Sequence, residues 1–169
     1  MKGVIKLFVM DVDGTLTDGR INIGPDGELF KSFNIKDGYA INEMLPAQGI
    51  VPAIITGRTS QIVANRACEL HITELHQGKH DKLDTLRELM QKYHCERENV
   101  AYIGDDILDI VCMRESGLVG CPADACAEVK ELAKFVCSLK GGEGAVREFV
   151  EYVIRHNSMH NAQCIMHNE

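Results

Sequence analysis

The sequence predicts an α/β fold, a Rossmann-like doubly wound parallel sheet without a cap and with one protruding β-hairpin. Three observations lead there. Short, nearly all-apolar runs at 4–10, 51–55 and 100–103 suit strands buried on both faces. Helical spacing fills the segments between them. Each run ends abruptly in polar residues, where the ligands of such sheets bind beyond the carboxyl ends of the strands.

The elements follow in order. Val4 to Met10 gives the first strand, closing on carboxylates. Residues 20–23 and 28–33 flank Gly24-Pro25-Asp26-Gly27, the turn chemistry of a hairpin spanning about 19–33. Ala40, Ile41, Met44 and Leu45 place a helix over 37–48. A strand at 51–55 precedes a helix at 59–70, and a short strand at 72–76 precedes an amphipathic helix at 80–93 carrying Leu83, Leu86, Leu89 and Met90. After the strand at 100–103 come a helix through Met113, a strand at 118–121, a helix at 124–133, a strand at 135–137 and a helix at 144–156. Alternation of this kind makes a parallel sheet with helices on both faces. No fixed-period repeat or low-complexity linker divides the chain, so residues 1–155 read as one domain and 156–169 as a flexible His-rich tail.

Composition removes several functions. The chain has 169 residues, 18 Lys+Arg against 25 Asp+Glu, and a formal charge of −7, so a nucleic-acid partner with its basic face is not expected. No apolar run approaches the roughly 18 residues of a membrane span. Seven cysteines occur without a Cys-x-x-Cys pair, which suits a reduced cytoplasm better than a disulfide framework or a zinc site.

The chemistry gathers at the strand ends. Asp11-Val12-Asp13-Gly14-Thr15 follows the first strand, Thr56-Gly57-Arg58 the second parallel strand, and Gly104-Asp105-Asp106 the strand at 100–103, with Asp109 a turn later. Lys82 opens the helix behind the strand at 72–76. Alone, Asp-x-Asp-Gly is a common turn, Thr-Gly a helix cap and Lys82 a solvated charge. Together, in order and each behind its own buried strand, they converge on one rim. Several carboxylates meeting there repel unless a cation or protons compensate them, which suggests a divalent metal, and oxygen-only ligands favour Mg²⁺.

These residues resemble the four motifs of the haloacid dehalogenase superfamily of phosphotransferases, across roughly residues 4–150. A second aspartate at Asp13 resembles the phosphatase branch. The resemblance implies Asp11 as nucleophile forming an aspartyl-phosphate and Asp13 as general acid and then base. It implies Mg²⁺ held by the Asp11 carboxylate, the Asp13 carbonyl and Asp105. Thr56 and the Gly57 N–H suit the phosphoryl oxygens, and Lys82 the charge spread in the transition state. Asp106 and Asp109 would orient Lys82 or metal-bound waters.

From Asp11 to Thr56 is 45 positions and from Thr56 to Lys82 is 26, too few for a cap domain in either place. An open site needs another cover, and the hairpin is long enough to reach a neighbouring subunit, so an oligomer with shared active sites is expected. Asn34-Ile35-Lys36-Asp37-Gly38-Tyr39, Thr56-Gly57-Arg58, Arg66, Gln77-Gly78 and the segment from Gly141 to Glu148 are similar to the tetrameric 3-deoxy-D-manno-octulosonate 8-phosphate phosphatases of lipopolysaccharide synthesis. That resemblance implies substrate contacts from Asn34, Ile35, Lys36, Asp37, Gly38, Gly57, Arg58, Arg66 and Lys82. The spacing of Arg58, Ile62 and Arg66 puts both guanidiniums on one helix face, suited to a phosphorylated sugar acid. Phosphatases of nine-carbon keto-deoxy sugar phosphates have Glu in place of Arg58 and Lys in place of Glu69, so the resemblance implies the eight-carbon substrate, whereas Asn42 departs from the octulosonate pattern, which often has Arg there. A broad-specificity sugar phosphatase is a further alternative. So is a non-catalytic oligomerisation module of a sugar-acid cytidylyltransferase, suggested by Pro-Ala-Asp-Ala-Cys at 122–126; the full set of catalytic-type residues argues against that.

Overall fold

The computed structural model describes residues 3–166. Its centre is β1 (Leu7–Met10), paired in parallel with β4 (Val51–Ile55) on one side and β6 (Val100–Ile103) on the other. β5 (Glu74–His76) adds to β4, β7 (Leu118–Cys121) to β6 and β8 (Phe135–Val136) to β7. The six strands run β5-β4-β1-β6-β7-β8, all parallel. The strand order reverses at β1, so the crevice for a ligand lies at its carboxyl end.

Side-chain alternation along β1 splits the interior in two. Phe8 and Met10 join Val63, Ala67, Phe149 and Val153 on one face. Leu7 and Val9 join Leu86, Leu89, Cys112 and Val129 on the other. All four β1 side chains are fully buried, which is why this run carries no polar residue before Asp11. Phe8 and Phe149 meet with ring centroids 5.5 Å apart, and truncating either would cost about 3–5 kcal/mol. The buried thiols of Cys95, Cys112, Cys121 and Cys137 serve as small apolar groups, burial pushing each of them up from the ordinary thiol range.

The helices start where short polar side chains cap them. Asn34 accepts from the Lys36 N–H and opens α1 (Ile35–Tyr39), two residues earlier than periodicity suggests. The chain continues through a π-helical turn, Ala40–Met44, into α2 (Leu45–Ala47). Ser60 caps α3 (Gln61–Glu69), and Asp81 caps α4 (Lys82–Lys92). A 3₁₀ turn, Ile107–Asp109, leads into α5 (Ile110–Arg114), and α6 (Ala127–Leu132) and α7 (Ala145–Met166) complete the layers. The hairpin pairs β2 (Asn22–Gly24) with β3 (Gly27–Phe30) around Pro25 and Asp26, where Gly27 supplies a φ of +115°.

One expectation is corrected. The last helix does not end at 156 but runs on to Met166, residues 167–169 lying outside the described part. Asn157, the first residue past that end, is anchored to the rest of the fold. Its side chain is buried, accepting from the Ile5 N–H at 2.8 Å and donating to the Ile5 carbonyl at 3.0 Å. The segment just before β1 has no neighbouring strand to pair Ile5, and the helix supplies an amide in place of one.

Candidate active site

The ladder of β1 extends one residue past the strand, the Asp11 N–H donating to the Ile103 carbonyl at 3.1 Å. The chain then curls on itself, the N–H groups of Thr15, Leu16 and Thr17 all donating to the Val12 carbonyl. Gly14 sits at φ +92°, and a Cβ there would come within 2.0 Å of Asp105 Oδ2. Only glycine lets the two loops close this tightly. Thr15 completes the junction, its hydroxyl donating to Asp105 Oδ1 at 3.1 Å.

Lys82, the first residue of α4, brings its ammonium into the sheet rim with its side chain 5% exposed. Nζ donates to Asp11 Oδ1 at 2.9 Å and to Asp109 Oδ1 at 2.8 Å. Burial alone would lower this ammonium, but the carboxylates of Asp11 and Asp109 outweigh it and the group is pushed up to about 12. Asp11 is raised to about 6 by burial and by Asp109, against the opposing pull of Lys82. Asp105 is raised to about 7 by burial and then by Asp11 and Asp109. One buried ammonium therefore does not balance the carboxylates around it.

Asp109 is a bonding hub. Its Oδ1 also accepts from the Tyr102 hydroxyl at 2.8 Å, and its Oδ2 accepts from the Asp105 N–H at 3.1 Å and the Asp106 N–H at 3.3 Å. Oxygens of Asp11, Asp105 and Asp109 all lie within 4.8 Å of one another, a spacing that fits a divalent ion. Four donors already occupy Asp109, however, so Asp11 and Asp105 carry the free acceptor capacity and Asp109 aligns Lys82 and the 105–106 backbone. The donor set is oxygen-only and over-charged with acid, as a hard dication requires. Mg²⁺ fits these residues.

An open cleft of about 180 Å³ brings together Asp11, Asp13, Thr56, Gly57, Arg58, Lys82, Asp105, Asp106 and Asp109, with Leu108 added to its wall. Asp106 does not reach Lys82 as expected. It is exposed and caps the 3₁₀ turn, accepting from the Ile107 N–H. Arg58 and Arg66 do not share a helix face, because Arg58 precedes the Ser60 cap. Arg66 lies away from this cleft, paired with Glu69 at 2.8 Å and set over the Phe33 ring. Asn34, Ile35, Lys36, Asp37 and Gly38 also lie outside the lining. Asn34 is a cap, Ile35 and Lys36 face solvent, and Asp37 is buried, its Oδ1 accepting from the Arg147 N–H at 2.7 Å. Burial raises Asp37 to about 6, against the Arg147 hydrogen bond.

The sequence reading overlooked a second charged cluster. Lys31, just past β3, places its ammonium against Asp13 Oδ1 and 3.0 Å from Glu28 Oε1, its side chain 2% exposed. Glu28 also accepts from the Ser60 hydroxyl, and its Oε1 lies 3.6 Å from Arg58 Nη2. Arg58 Nε stands 3.9 Å from Asp13 Oδ2. The root of the hairpin thus closes on the cleft of its own protomer. A signal existed in Glu28-x-x-Lys31, a charged pair flanking the apolar Leu29 and Phe30, but nothing in it shows which way the chain turns. Tyr102 was hidden too, a residue in an apolar strand whose hydroxyl finds Asp109.

Comparison with known proteins follows the same line. A family profile described as haloacid dehalogenase-like hydrolase matches residues 67–149. The chain is 43% identical over 150 residues to the 3-deoxy-D-manno-octulosonate 8-phosphate phosphatase KdsC of Yersinia pestis, covering 89% of this chain and 80% of that protein. The crystal structure of that phosphatase from Yersinia pestis superposes with a TM-score of 0.88 at 42% identity, over 92% of this chain and 84% of that one. The corresponding phosphatase from Moraxella catarrhalis, solved with a magnesium ion, a phosphate ion and a KDO molecule, gives 0.87 at 38% identity, over 97% of this chain and 94% of that one.

Proposed function

The chain belongs to the haloacid dehalogenase-like 3-deoxy-D-manno-octulosonate 8-phosphate phosphatases, and from that premise we propose that it hydrolyses this phosphate monoester to the free sugar acid and phosphate, with Mg²⁺. The observation that carries the reading is the Asp11–Lys82–Asp109 network with Asp105 beside it, all at the carboxyl end of β1 and β6.

Asp11 is the nucleophile. Its carboxylate oxygen bonds to phosphorus as the bond from phosphorus to the sugar oxygen breaks, leaving an aspartyl-phosphate. Asp13 gives its proton to the departing sugar oxygen, then takes one from the water that attacks the aspartyl-phosphate and frees phosphate. Thr56 and the Gly57 N–H line the cleft where phosphoryl oxygens need donors. Lys82 holds a fixed positive charge against Asp11, and Asp109 and Tyr102 keep it aimed. The Asp11 and Asp105 carboxylates with the Asp13 carbonyl would hold Mg²⁺, which when bound neutralises the nucleophile and the phosphoryl oxygens.

Arg58 sits at the mouth of the cleft and suits the substrate's carboxylate. We further read the protein as a tetramer sharing active sites. Ile23, Leu29 and Phe30 on the hairpin and Ile35 and Tyr39 on α1 are exposed, an apolar set in want of a cover. Asn34 to Gly38 and Arg66 would then serve substrate across an interface. The unpatterned cysteines, of which the six with described side chains are unpaired, favour the cytoplasm, and among the described residues no helix is long and apolar enough to cross a membrane.

The test is phosphate release from 3-deoxy-D-manno-octulosonate 8-phosphate with Mg²⁺. The wild type turns over, Asp11→Asn loses at least about 10³-fold, and EDTA abolishes turnover reversibly. A wild type inert towards the eight-carbon substrate yet active on a nine-carbon one would overturn the substrate assignment.

A further inference from the structure

We propose that Lys31 is a positioning residue for the general acid and base, fixing one oxygen of Asp13 so that the other alone exchanges the proton with the leaving group. This rests on the reading of Asp13 given above. Asp13 lies in the loop after β1 with its side chain 19% exposed, a setting that leaves a carboxylate free to turn about its side-chain torsions. The Lys31 ammonium seizes Oδ1. Among the described residues no group hydrogen-bonds Oδ2, whose one charged neighbour is the Arg58 Nε at 3.9 Å. The two oxygens are therefore not equivalent: one is clamped and one is presented.

The clamp is itself anchored. Lys31 is held from behind by Glu28 Oε1 at 3.0 Å, and Glu28 is tied by its other oxygen to the Ser60 hydroxyl at the cap of α3. An ammonium this enclosed does not wander, and the carboxylates that hold it come from the hairpin and from the loop after β1, the former tied in turn to the cap of α3. A surface lysine of the ordinary kind would gain little from such a pair. Here the burial of the side chain makes the geometry specific. Docking of the hairpin on its own protomer and the aim of Asp13 become one structural event, which accounts for a charged pair in an element that otherwise exposes apolar side chains.

General-acid catalysis gives the test. A sugar alkoxide cannot leave without a proton, whereas p-nitrophenolate can, and kcat/KM reports the steps up to leaving-group departure. Lys31→Met and Lys31→Gln are compared with the wild type on 3-deoxy-D-manno-octulosonate 8-phosphate and on p-nitrophenyl phosphate. The expected result is a loss of roughly 10- to 100-fold in kcat/KM on the sugar phosphate with less than about threefold on the aryl phosphate, and substantial recovery in Lys31→Arg. Equal losses on both substrates would show a merely structural role and overturn the proposal, as would unchanged or raised activity on the sugar phosphate. Asp13→Asn, run alongside, separates the two claims. Selective loss there with unselective loss at Lys31 removes only the role of Lys31; unselective loss at Asp13 removes the general-acid reading itself.

Discussion

Asp109→Asn separates a bonding hub from a metal ligand. Asp109 is fully buried and its two oxygens serve four donors, the Lys82 ammonium and Tyr102 hydroxyl on one side and the Asp105 and Asp106 N–H groups on the other. An asparagine keeps the shape but presents an NH₂ to one of those pairs, whichever way its amide turns. Two donors then face a donor, a buried pair on the Lys82 and Tyr102 side or a partly buried pair on the backbone side. At about 1–3 kcal/mol for each unsatisfied group, and more where Lys82 is left with Asp11 alone, the loss comes to roughly 2–5 kcal/mol. For a domain of this size that lowers the Tm by about 4–20 °C. The assay is thermal unfolding of wild type and variant in EDTA and again in saturating Mg²⁺, with phosphatase activity measured in parallel. A hub predicts that the deficit persists in EDTA and that activity falls because Lys82 loses its aim. A role as metal ligand predicts the reverse: the metal-free variant would be more stable than wild type, since removing a carboxylate relieves the repulsion that raises Asp11 and Asp105. A metal-free variant as stable as wild type, or more so, refutes the reasoning.

Two other outcomes follow from the same accounting. Asp11, Asp37 and Asp105 are held above the ordinary carboxylate range, at about 6, 6 and 7, burial being the main cause for each. The folded metal-free protein thus binds more protons than the unfolded chain between about pH 4 and 7, and its stability falls as pH rises through that window. Thermal melts in EDTA from pH 5 to 8 should show a declining Tm; Mg²⁺ should flatten most of the slope and Asp37→Asn a smaller part, while a Tm that rises with pH would contradict the assignment. Asn157→Ala strips the partners from the Ile5 N–H and carbonyl and should cost about 2–5 kcal/mol in urea unfolding. A cost under 0.5 kcal/mol would return α7 beyond 156 to the status of an ornament.

Sequence alone settled the parallel, helix-covered sheet and the gathering of the candidate residues at one rim, because both depend on local pattern. Apolar runs too short for helices, each closing on Asp11, Thr56 or Gly104-Asp105, can be satisfied only by buried parallel strands whose ends meet on one rim. Asp13 and Gly14 were legible as part of the Asp-x-Asp-Gly-Thr run directly behind β1, although the groups they meet, Lys31 and Asp105, are distant in sequence. What tertiary structure decided were the contacts made by long, flexible or ambiguous side chains. Lys31 could have faced solvent like other lysines, and only the hairpin's approach turns it onto Asp13. Arg66 shares α3 with the Ser60 cap, yet the start of that helix after Arg58 leaves the two guanidiniums in different places. Asn157 reads as a helix end until the unpaired backbone of Ile5 supplies its partner. Periodicity determines which face of an element is buried; which distant charge a buried polar atom meets depends on how the elements are stacked, and no local spacing encodes that.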